Sequence, residues 1–455
     1  MQRLIFNHLL TWLSSPLRKP LILRGARQVG KTWLVRELAN KAQRKIIEIN
    51  LENRFDLIEL FNSNDPKAII LNLESFFHQK IILEESILFL DEIQRAPQLI
   101  AKLRWFYELM PELPVIATGS LLEFELESHS FSMPVGRINY YFVEPMGFEE
   151  FLLAKNPHLL VTIKNSSLEN PLNQVLHAEA NQLFKEFVMV GGMPEAVASW
   201  IEQQSLEDLA QIHHNLISTY KDDFAKYAKK LSLQYLQDVI LAIPKMLGKK
   251  FVYSHVNSLA KHAAIKQALQ LLIKARLCHP VYNSPANGIP LGAQTDTKLF
   301  KMILLDIGLV STMLGIQHHQ FNTIDDIFLI NSGAIAEQAV GQLLRLYTPY
   351  YAEPKLYYWE RKAQSSSAEI DYLVQYQQQL IPIEVKSGST GKLRSLHQFM
   401  YEKPWKIAVR IYSGPLGYAR VQVKTTSGNF VEYKLLSLPY YMLSELEKLL
   451  TLLTK

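Results

Sequence analysis

The sequence predicts a mixed α/β protein in three parts: a parallel-sheet core, a helical middle region and a smaller C-terminal α/β domain. Over the first 120 residues, short apolar runs alternate with segments of helical periodicity. This alternation is typical of a parallel sheet covered by helices on both faces. Residues 175–240 are mostly helical in pattern, and from about residue 330 a helix precedes several strand-like runs.

The length and composition indicate several globular domains. The chain has 455 residues, of which 48% are hydrophobic and 20% charged, so two to four packed domains are expected. We place their bounds at residues 1–165, 166–245, 246–318 and 319–455. The net charge is +5 with Lys and Arg scattered along the chain, which permits contact with nucleic acid but does not argue for it.

Cysteine usage and hydropathy restrict the class of protein. Cys278 is the only cysteine, which excludes an intrachain disulfide and a Cys-based zinc site. The apolar runs are too short or too interrupted to cross a bilayer. Residues 1–20 lack a small-residue cleavage site and predict a short helix rather than a signal peptide. We therefore expect a cytoplasmic protein without a membrane partner.

The N-terminal core is assigned from four apolar runs. Residues 20–24, 45–51, 86–91 and 113–118 are predicted strands, and residues 31–42 a helix with Trp33, Leu34 and Leu38 on its apolar face. In an open parallel sheet the ligand binds beyond the carboxyl ends of the strands. The functional residues should therefore follow these strands.

A phosphate-binding loop follows the first strand. The segment GARQVGKT (25–32) fits G-x-x-x-x-G-K-[ST], whose glycines let backbone N–H groups surround phosphates. Lys31 is predicted to reach the terminal phosphates, and the Thr32 hydroxyl to ligate Mg²⁺ at a helix N-terminus. The predicted nucleotide-binding residues are Gly25, Ala26, Arg27, Gln28, Val29, Gly30, Lys31, Thr32 and Ser120.

Acidic and polar residues end the next two apolar strands. In ILFLDEIQ (87–94), Asp91 is predicted to hold Mg²⁺ through its water shell, and Glu92 to orient or deprotonate the attacking water. In ATGS (117–120), Thr118 or Ser120 is placed to sense the γ-phosphate, although both are also ordinary turn formers. No guanine-recognition motif is present, so ATP is favoured over GTP.

Arg137 is a further catalytic candidate. It could supply a cation to the transition state, either in its own subunit or in a neighbouring one. The alternative is a surface ion pair.

The motif order resembles a known family. RGARQVGKTWLV, LFLDEIQRAP, ATGS, GRINYYFVEPMGFEEF, VGGMPEAV and KMILLDIGLV occur here as they do in a large group of prokaryotic AAA-type ATPases with a C-terminal domain of unknown function. The resemblance covers nearly the whole chain. It implies an N-terminal P-loop NTPase core, a winged-helix middle module and a C-terminal domain similar to the PD-(D/E)XK nuclease fold. It supports the ATP and Mg²⁺ roles of Gly30, Lys31, Thr32, Asp91 and Glu92, but implies no biological process.

The C-terminal domain carries a candidate metal site. EIDYLV (369–374) and IPIEVKSG (381–388) predict two strands joined by a polar turn, with Glu384 and Lys386 on one face and Asp371 across from them. Glu337, on the helix that begins near residue 334, could complete the group. Such carboxylates can hold Mg²⁺ while a lysine positions water for phosphodiester hydrolysis.

The predicted metal ligands of this domain are therefore Glu337, Asp371 and Glu384, and Lys386 is its predicted catalytic residue. The set resembles the Asp…Glu-x-Lys motif of the nuclease superfamily, and Gln398 and Tyr401 loosely resemble its helix motif. The alternative is an exposed charged pair on an amphipathic strand. Cleavage is left open, because a fold does not fix an activity.

Two other features are interpreted as structural. The pairs His213–His214 and His318–His319 lack the i, i+4 spacing of helical metal ligands and are predicted to lie on the surface. The aromatic run LYYW (356–359) is predicted to pack in a core strand rather than stack on bases.

Three functions fit the sequence. The leading one is an ATPase whose nucleotide state controls a winged-helix and nuclease-like C-terminal half acting on DNA. The second is an ATP-driven regulatory switch that binds a protein partner, with an inert C-terminal domain. The third is a metal-dependent nuclease for which ATP is an allosteric ligand. The substrate and the oligomeric state, including a homo-oligomer, are left open.

Overall fold

Two sheets organise the molecule. The computed structural model of the chain describes residues 1–120, 122, 133–228, 231–316, 333–361, 368–389 and 391–454. One sheet has five strands and belongs to the N-terminal third. The other has eight strands, all of which follow residue 277. Helices fill most of the chain between them, so the predicted mixed α/β fold with a helical middle region is confirmed.

The five-stranded sheet is parallel throughout, in the order β2-β3-β4-β1-β5. Its strands are β1 (Leu21–Arg24), β2 (Lys45–Asn50), β3 (Ser86–Asp91), β4 (Val115–Gly119) and β5 (Asn139–Phe142). Its helices are α1 (Ile5–Ser14), α2 (Lys31–Lys41), α3 (Pro66–Phe77) and α4 (Gln98–Leu109). The first four strands and α2 are close to their predicted bounds. β5 was not predicted, because its four residues, NYYF, are mostly half-buried and carry no continuous apolar run.

The buried face of α2 differs from the prediction in one residue. Leu34 and Leu38 are buried as expected, but Trp33 is 42% exposed. A helix turns by about 100° per residue, so Trp33 lies on the flank of the face that Leu34, Val35 and Leu38 turn to the sheet. The prediction for Trp33 was wrong.

Among the described residues, six α-helices lie between β5 and residue 243. They are α5 (Phe148–Lys155), α6 (Pro157–Asn165), α7 (Gln174–Val190), α8 (Pro194–Gln203), α9 (Leu206–Ala228) and α10 (Leu233–Ala242). Two further helices, α11 (Tyr253–Val256) and α12 (His262–Lys274), precede the first strand of the second sheet.

The second sheet is mixed, in the order β12-β13-β11-β10-β9-β8-β6-β7. Its strands are β6 (Cys278–Asn283), β7 (Asp296–Leu304), β8 (Leu356–Glu360), β9 (Glu369–Tyr376), β10 (Gln379–Val385), β11 (Ile407–Tyr412), β12 (Gly417–Lys424) and β13 (Phe430–Pro439). Helices α13 (Ile307–Met313), α14 (Ala334–Arg345), α15 (Arg394–Glu402) and α16 (Leu446–Thr454) accompany it. The strands predicted near residues 356, 369 and 380 are confirmed.

The second sheet joins two of the predicted modules. The hairpin β6–β7 lies in the segment predicted as a winged helix, and β6 pairs in parallel with β8 of the predicted nuclease-like domain. Residues from both segments also belong to one continuous hydrophobic core. The helix–helix–strand–strand order is present, but these strands do not form a sheet of their own. The winged-helix assignment and the domain bounds stay predictions.

Close backbone packing explains the glycines of VGGMPEA (190–196). Gly191 has a φ of 75°, and a Cβ there would collide with the Asp306 carboxylate. The backbone N–H of Gly192 donates to that carboxylate at 2.6 Å, and Asp306 also caps α13. A Cβ at Gly192 would meet the backbone oxygen of Met146. Only glycine fits where three segments meet at this distance.

Aromatic and histidine residues were predicted with mixed success. Tyr358 and Trp359 of LYYW are buried in β8, which confirms their place in the core. His213 is fully buried, with ring nitrogens 2.9 Å from the Thr312 hydroxyl and 3.0 Å from the Val190 carbonyl oxygen, so its predicted surface position was wrong. His214 is exposed, and His318–His319 lie outside the described residues. Within the described residues, none of the helices is both long and apolar enough to cross a membrane.

Candidate nucleotide site and C-terminal carboxylate cluster

The phosphate loop connects β1 to α2 at the carboxyl edge of the parallel sheet. Two of its residues have left-handed backbones, Gln28 with a φ of 66° and Gly30 with a φ of 89°. Successive turns of this kind point backbone N–H groups into one concave surface, which suits an anion. Gly25 has a separate reason to be glycine, because a Cβ there would collide with the backbone oxygen of Val143.

Lys31 lies inside this loop, at the first position of α2. Its side chain is 7% exposed, and its ammonium donates to the carbonyl oxygens of Gly25 at 3.1 Å and Ala26 at 2.7 Å. The positive charge is thus held where the loop and the N-terminus of α2 meet. Both features favour a bound anion.

Oxygen ligands converge at the tip of β3. The Thr32 hydroxyl lies 3.2 Å and 3.3 Å from the two carboxylate oxygens of Asp91, and the Asn50 amide lies 3.3 Å from one of them. The Thr118 hydroxyl donates to the same carboxylate. Hydroxyl and carboxylate oxygens are the donors that Mg²⁺ prefers, so Thr32 and Asp91 fit the metal predicted for them.

Glu92 and Ser120 follow neighbouring strands. Glu92 has a left-handed φ of 55°, and its carboxylate accepts a hydrogen bond from the Gln94 amide. A non-glycine residue in this conformation is uncommon and marks a constrained site. The buried Ser120 hydroxyl accepts from Nε of Arg27 at 3.3 Å, so Ser120 faces the phosphate loop. Thr118 instead faces Asp91.

Segments from outside the sheet hold the phosphate loop. Nη1 of Arg27 lies 2.8 Å and 2.6 Å from the two carboxylate oxygens of Asp223 on α9, and the Tyr220 hydroxyl donates to the Arg27 carbonyl at 3.0 Å. Arg3 donates to the Val29 carbonyl at 2.9 Å. Sequence reasoning missed Tyr220, Asp223 and Arg3, since no local motif marks residues up to 196 positions away from their partners.

Arg137 lies at the other edge of the sheet. Asn139 is in register with Leu21, so Arg137 is beside the amino ends of the strands, whereas the phosphate loop follows their carboxyl ends. A four-residue strand spans about 13 Å, which a side chain already bound to Glu108 at 3.1 Å does not cross. Arg137 also precedes β5, the last strand of the sheet in chain order. This placement argues against a catalytic role of Arg137 in its own subunit, and its catalytic assignment stays a prediction.

The second sheet brings most of the C-terminal candidates together. Ile383 is in register with Tyr372, which places Glu384 opposite Asp371. One Asp371 oxygen accepts from the Val385 backbone N–H at 2.7 Å, and one Glu384 oxygen accepts from Lys386 at 2.7 Å. Glu337 on α14 belongs to the same group, together with Glu369, which the sequence did not suggest. We call Glu337, Glu369, Asp371 and Glu384 the carboxylate cluster.

Lys301 is the cation that sequence reasoning missed. It lies on β7, is 3% exposed, and its ammonium is 3.3 Å from Oε2 of Glu337. It also forms an ion pair with Glu369 and lies 5.3 Å from the ring centroid of Tyr358. The side chain thus extends from the edge strand of the sheet to two members of the carboxylate cluster, Glu337 and Glu369. No pattern around KMILLDIGLV (301–310) predicts this contact.

Burial shapes the charges of the cluster. Burial, followed by the neighbouring charge of Glu337, raises the pKa of Asp371 to about 7. Burial, followed by the charge of Asp371, raises the pKa of Glu384 to about 8. Burial alone would lower the pKa of Lys301, but Glu337, Asp371 and Glu369 raise it above its ordinary value. Lys301 therefore stays charged, while burial moves the pKa values of Asp371 and Glu384 up towards neutral pH.

The cluster does not fit the divalent metal predicted for it. Among the described residues, no three His, Cys, Asp or Glu side chains are arranged to hold a metal ion. The Lys301 ammonium instead pairs with one of the predicted ligands, Glu337. Of the two residues likened to a nuclease helix motif, Gln398 donates to Glu402 at 2.7 Å within its own helix, and Tyr401 is 47% exposed.

Comparisons with protein families match three separate parts of the chain. Residues 17–152 match the model of an AAA domain family. Residues 181–320 and 332–428 match two families described as domains of unknown function, DUF8612 and DUF4143. The first match contains the phosphate loop, Asp91 and Glu92, and the third contains the carboxylate cluster.

Similar solved structures include the Thermotoga maritima RuvB Holliday junction branch migration motor and a variant of it. Each is 15% identical in sequence, and each match covers 66% of this chain and 93% of that one, with a TM-score of 0.29. A TM-score this low carries no argument about this chain.

The fold and the loop geometry define a P-loop nucleoside triphosphatase core. More narrowly, residues 17–152 carry an AAA domain, and residues 332–428 carry DUF4143, a domain of unknown function.

Proposed function

We propose that this protein binds ATP with Mg²⁺ in the loop Gly25–Thr32 and hydrolyses it. The observation that carries the proposal is the convergence of Thr32, Asp91 and Asn50 within 3.3 Å beside Lys31 at the N-terminus of α2. When bound, Mg²⁺ would neutralise charge on the phosphates. Thr32 and Asp91 would hold it, and Lys31 would bind the terminal phosphates.

Glu92 is the proposed base. It follows Asp91 at the strand tip, and its carboxylate is held by Gln94. In this position it would accept a proton from the attacking water or orient that water.

Calorimetry on the full chain tests the binding site. Lys31→Ala should weaken ATP binding by roughly 10- to 100-fold, because a charge-assisted hydrogen bond contributes about 1.5–3 kcal/mol. Lys41→Ala is the matched control, since Lys41 lies on the same helix with its side chain 62% exposed. Equal ATP affinity of the Lys31→Ala variant and the parent would refute the assignment of the loop.

The nucleotide state is proposed to reach the helical region through Arg27. This residue belongs to the phosphate loop, yet its side chain forms an ion pair with Asp223 on α9. Its carbonyl oxygen also accepts a hydrogen bond from the Tyr220 hydroxyl. A terminal phosphate entering the loop would compete with Asp223 for the guanidinium. Binding of ATP would then loosen α9 from the loop.

The same loop is also close to the path that leads into the C-terminal half. Pro194, at the start of α8, is 3.6 Å from where a Cβ of Gly30 would lie. Two residues earlier, Gly192 donates to Asp306, and Asp306 accepts from Gln342 on α14 at 3.0 Å. Helix α14 also carries Glu337. This chain of contacts supports the proposal that nucleotide state controls the C-terminal half.

Hydrogen exchange of α9 with and without ATP tests the Arg27 step. In the parent, ATP should increase exchange in α9, whereas Asp223→Asn should raise exchange without ATP and remove most of the further response. Asp222→Asn is the matched control, because Asp222 is adjacent and exposed. An ATP response in the Asp223→Asn variant equal to that of the parent would rule out this route.

Besides ATP, DNA is a candidate partner. Residues 253–304 have the helix–helix–strand–strand order expected of a winged helix, which is a DNA-binding module. Titration of a labelled duplex at two salt concentrations tests it. If phosphate contacts dominate, affinity should fall steeply as salt rises. No binding at low salt would favour the alternative, an ATP-driven switch with a protein partner.

A further inference from the structure

We infer that Lys301 is the resident cation of the carboxylate cluster, in the place of a divalent metal. The ion pairs of the cluster then hold the β6–β7 hairpin against the layer formed by α14, β9 and β10. With Lys301 in place it holds no catalytic metal and cleaves no phosphodiester bond. This inference concerns the C-terminal half and does not depend on the proposed ATPase activity.

The first argument is the position of the ammonium. Lys301 contacts Glu337 and Glu369, which come from different elements, α14 and β9. Asp371 lies two residues after Glu369 on the same strand and therefore on the same face of the sheet. A metal bound by Glu337 and Asp371 would be adjacent to this ammonium, and the two positive charges would repel.

The second argument is how deeply Lys301 is buried. Its side chain is only 4% exposed, and lysine is almost never fully buried without a partner. The segment around residues 248–250 packs beside Lys301. The backbone of Lys250 forms an isolated antiparallel β-bridge with that of Lys301, and a Cβ at Gly248 would lie 3.0 Å from the Glu337 carboxylate. Lys301 is thus built into the fold and is not a surface side chain resting on an acidic patch.

The third argument is that the second lysine of the cluster is paired in the same way. Lys386, the predicted catalytic residue, lies 2.7 Å from the Glu384 carboxylate. The other Glu384 oxygen is buried and has no hydrogen-bond partner among the described residues. If Lys301 were removed, this Glu384 oxygen would be available to bind a metal ion.

Binding of Mn²⁺ to the nucleotide-free full chain tests the inference, with free Mn²⁺ measured by electron paramagnetic resonance. The parent and Glu384→Gln should bind the same number of Mn²⁺ ions with the same affinity. Lys301→Met should gain one Mn²⁺ per chain, with an affinity at least tenfold higher than any in the parent. Adding Glu384→Gln to Lys301→Met should remove that ion.

Two variants serve as controls. Lys301→Arg keeps a cation and should gain no Mn²⁺ site. Lys250→Met removes a neighbouring lysine, paired with Glu360 at 2.6 Å, and should gain none either.

Two results would overturn the inference. One is a Mn²⁺ ion in the parent that Glu384→Gln abolishes, because the cluster would then hold metal beside Lys301. The other is a folded Lys301→Met variant without a new Mn²⁺ site. If Lys301→Met does not fold, the comparison of the parent with Glu384→Gln still decides the question.

Discussion

The phosphate loop and the carboxylate cluster use the same kinds of side chain but differ in what balances their charge. Lys31 is held by backbone carbonyl oxygens at a helix N-terminus, a setting that favours an added anion. Lys301 and Lys386 are ion-paired with carboxylates of their own cluster. The first site is thus arranged for a ligand from outside, whereas the second is balanced largely from within. A motif fixes which residue types are present, but the partners they meet in the fold decide what they can bind.

The largest effect expected from this comparison is on ATP turnover. Glu92→Gln should keep ATP bound and lower steady-state hydrolysis by about 10²- to 10⁴-fold, because the amide keeps the shape and loses the base. Glu384→Gln, the same change in the carboxylate cluster, should leave turnover within about twofold of the parent. Phosphate release and calorimetry measure the two quantities. Parental turnover by the Glu92→Gln variant would move the role of base to another residue.

A smaller effect is expected at the ion pair that joins the two halves. Arg345 on α14 holds Glu144, just after β5, through two hydrogen bonds of 2.8 Å. Burial alone would raise the pKa of Glu144, but the charge and hydrogen bonds of Arg345 lower it to about 2. A depression of this size corresponds to about 3 kcal/mol of stability.

The sign of the pH dependence follows from that lowered pKa. The contribution is fully present above about pH 5, where the unfolded carboxyl is ionised, and is lost as the pH falls towards 2. The parent should therefore lose more stability than Glu144→Gln between pH 6 and pH 3, as measured by urea unfolding. Equal losses in the two proteins would show that the pair does not couple folding to this pH range.

Removal of Mg²⁺ should affect the nucleotide site but not the carboxylate cluster. Chelation of Mg²⁺ should weaken ATP binding by roughly tenfold, on the order of 1.4 kcal/mol, because Thr32 and Asp91 hold the ion with the phosphates. The same treatment should leave the unfolding temperature of the nucleotide-free chain unchanged, since Lys301 needs no metal beside it. A metal in the cluster would be indicated if chelator lowered the unfolding temperature of the parent and Mg²⁺ restored it. In that case the Glu384→Gln variant should show no such fall.

What the sequence could predict depends on how local the determining contacts are. The phosphate loop is set by eight consecutive residues, and Asp91 follows from an apolar strand that ends in an acid. Asp371 and Glu384 were also predicted as neighbours, because a short turn fixes the register of their strands. Lys301 and Asp223 could not be predicted, since each meets its partner only after distant segments pack together. The four-residue strand β5 was missed for a related reason: pairing with β1 defines it, and its own periodicity does not.

Arg137→Ala gives the smallest expected effect on ATP turnover. It tests whether a single chain supplies all the residues of its nucleotide site. Its place at the amino edge of the sheet separates it from its own phosphate loop by the length of β1, and Glu108 already pairs with it. In a dilution at which light scattering finds only monomers, Arg137→Ala should change ATP turnover per chain by less than about twofold, as for a surface ion pair. If turnover in the parent rises with protein concentration, Arg137→Ala should remove that rise, because the guanidinium would then act on a neighbouring chain's phosphates. A large loss of turnover in the monomer would contradict the placement of Arg137, whereas a concentration-dependent rise that survives the substitution would leave it with only a surface role.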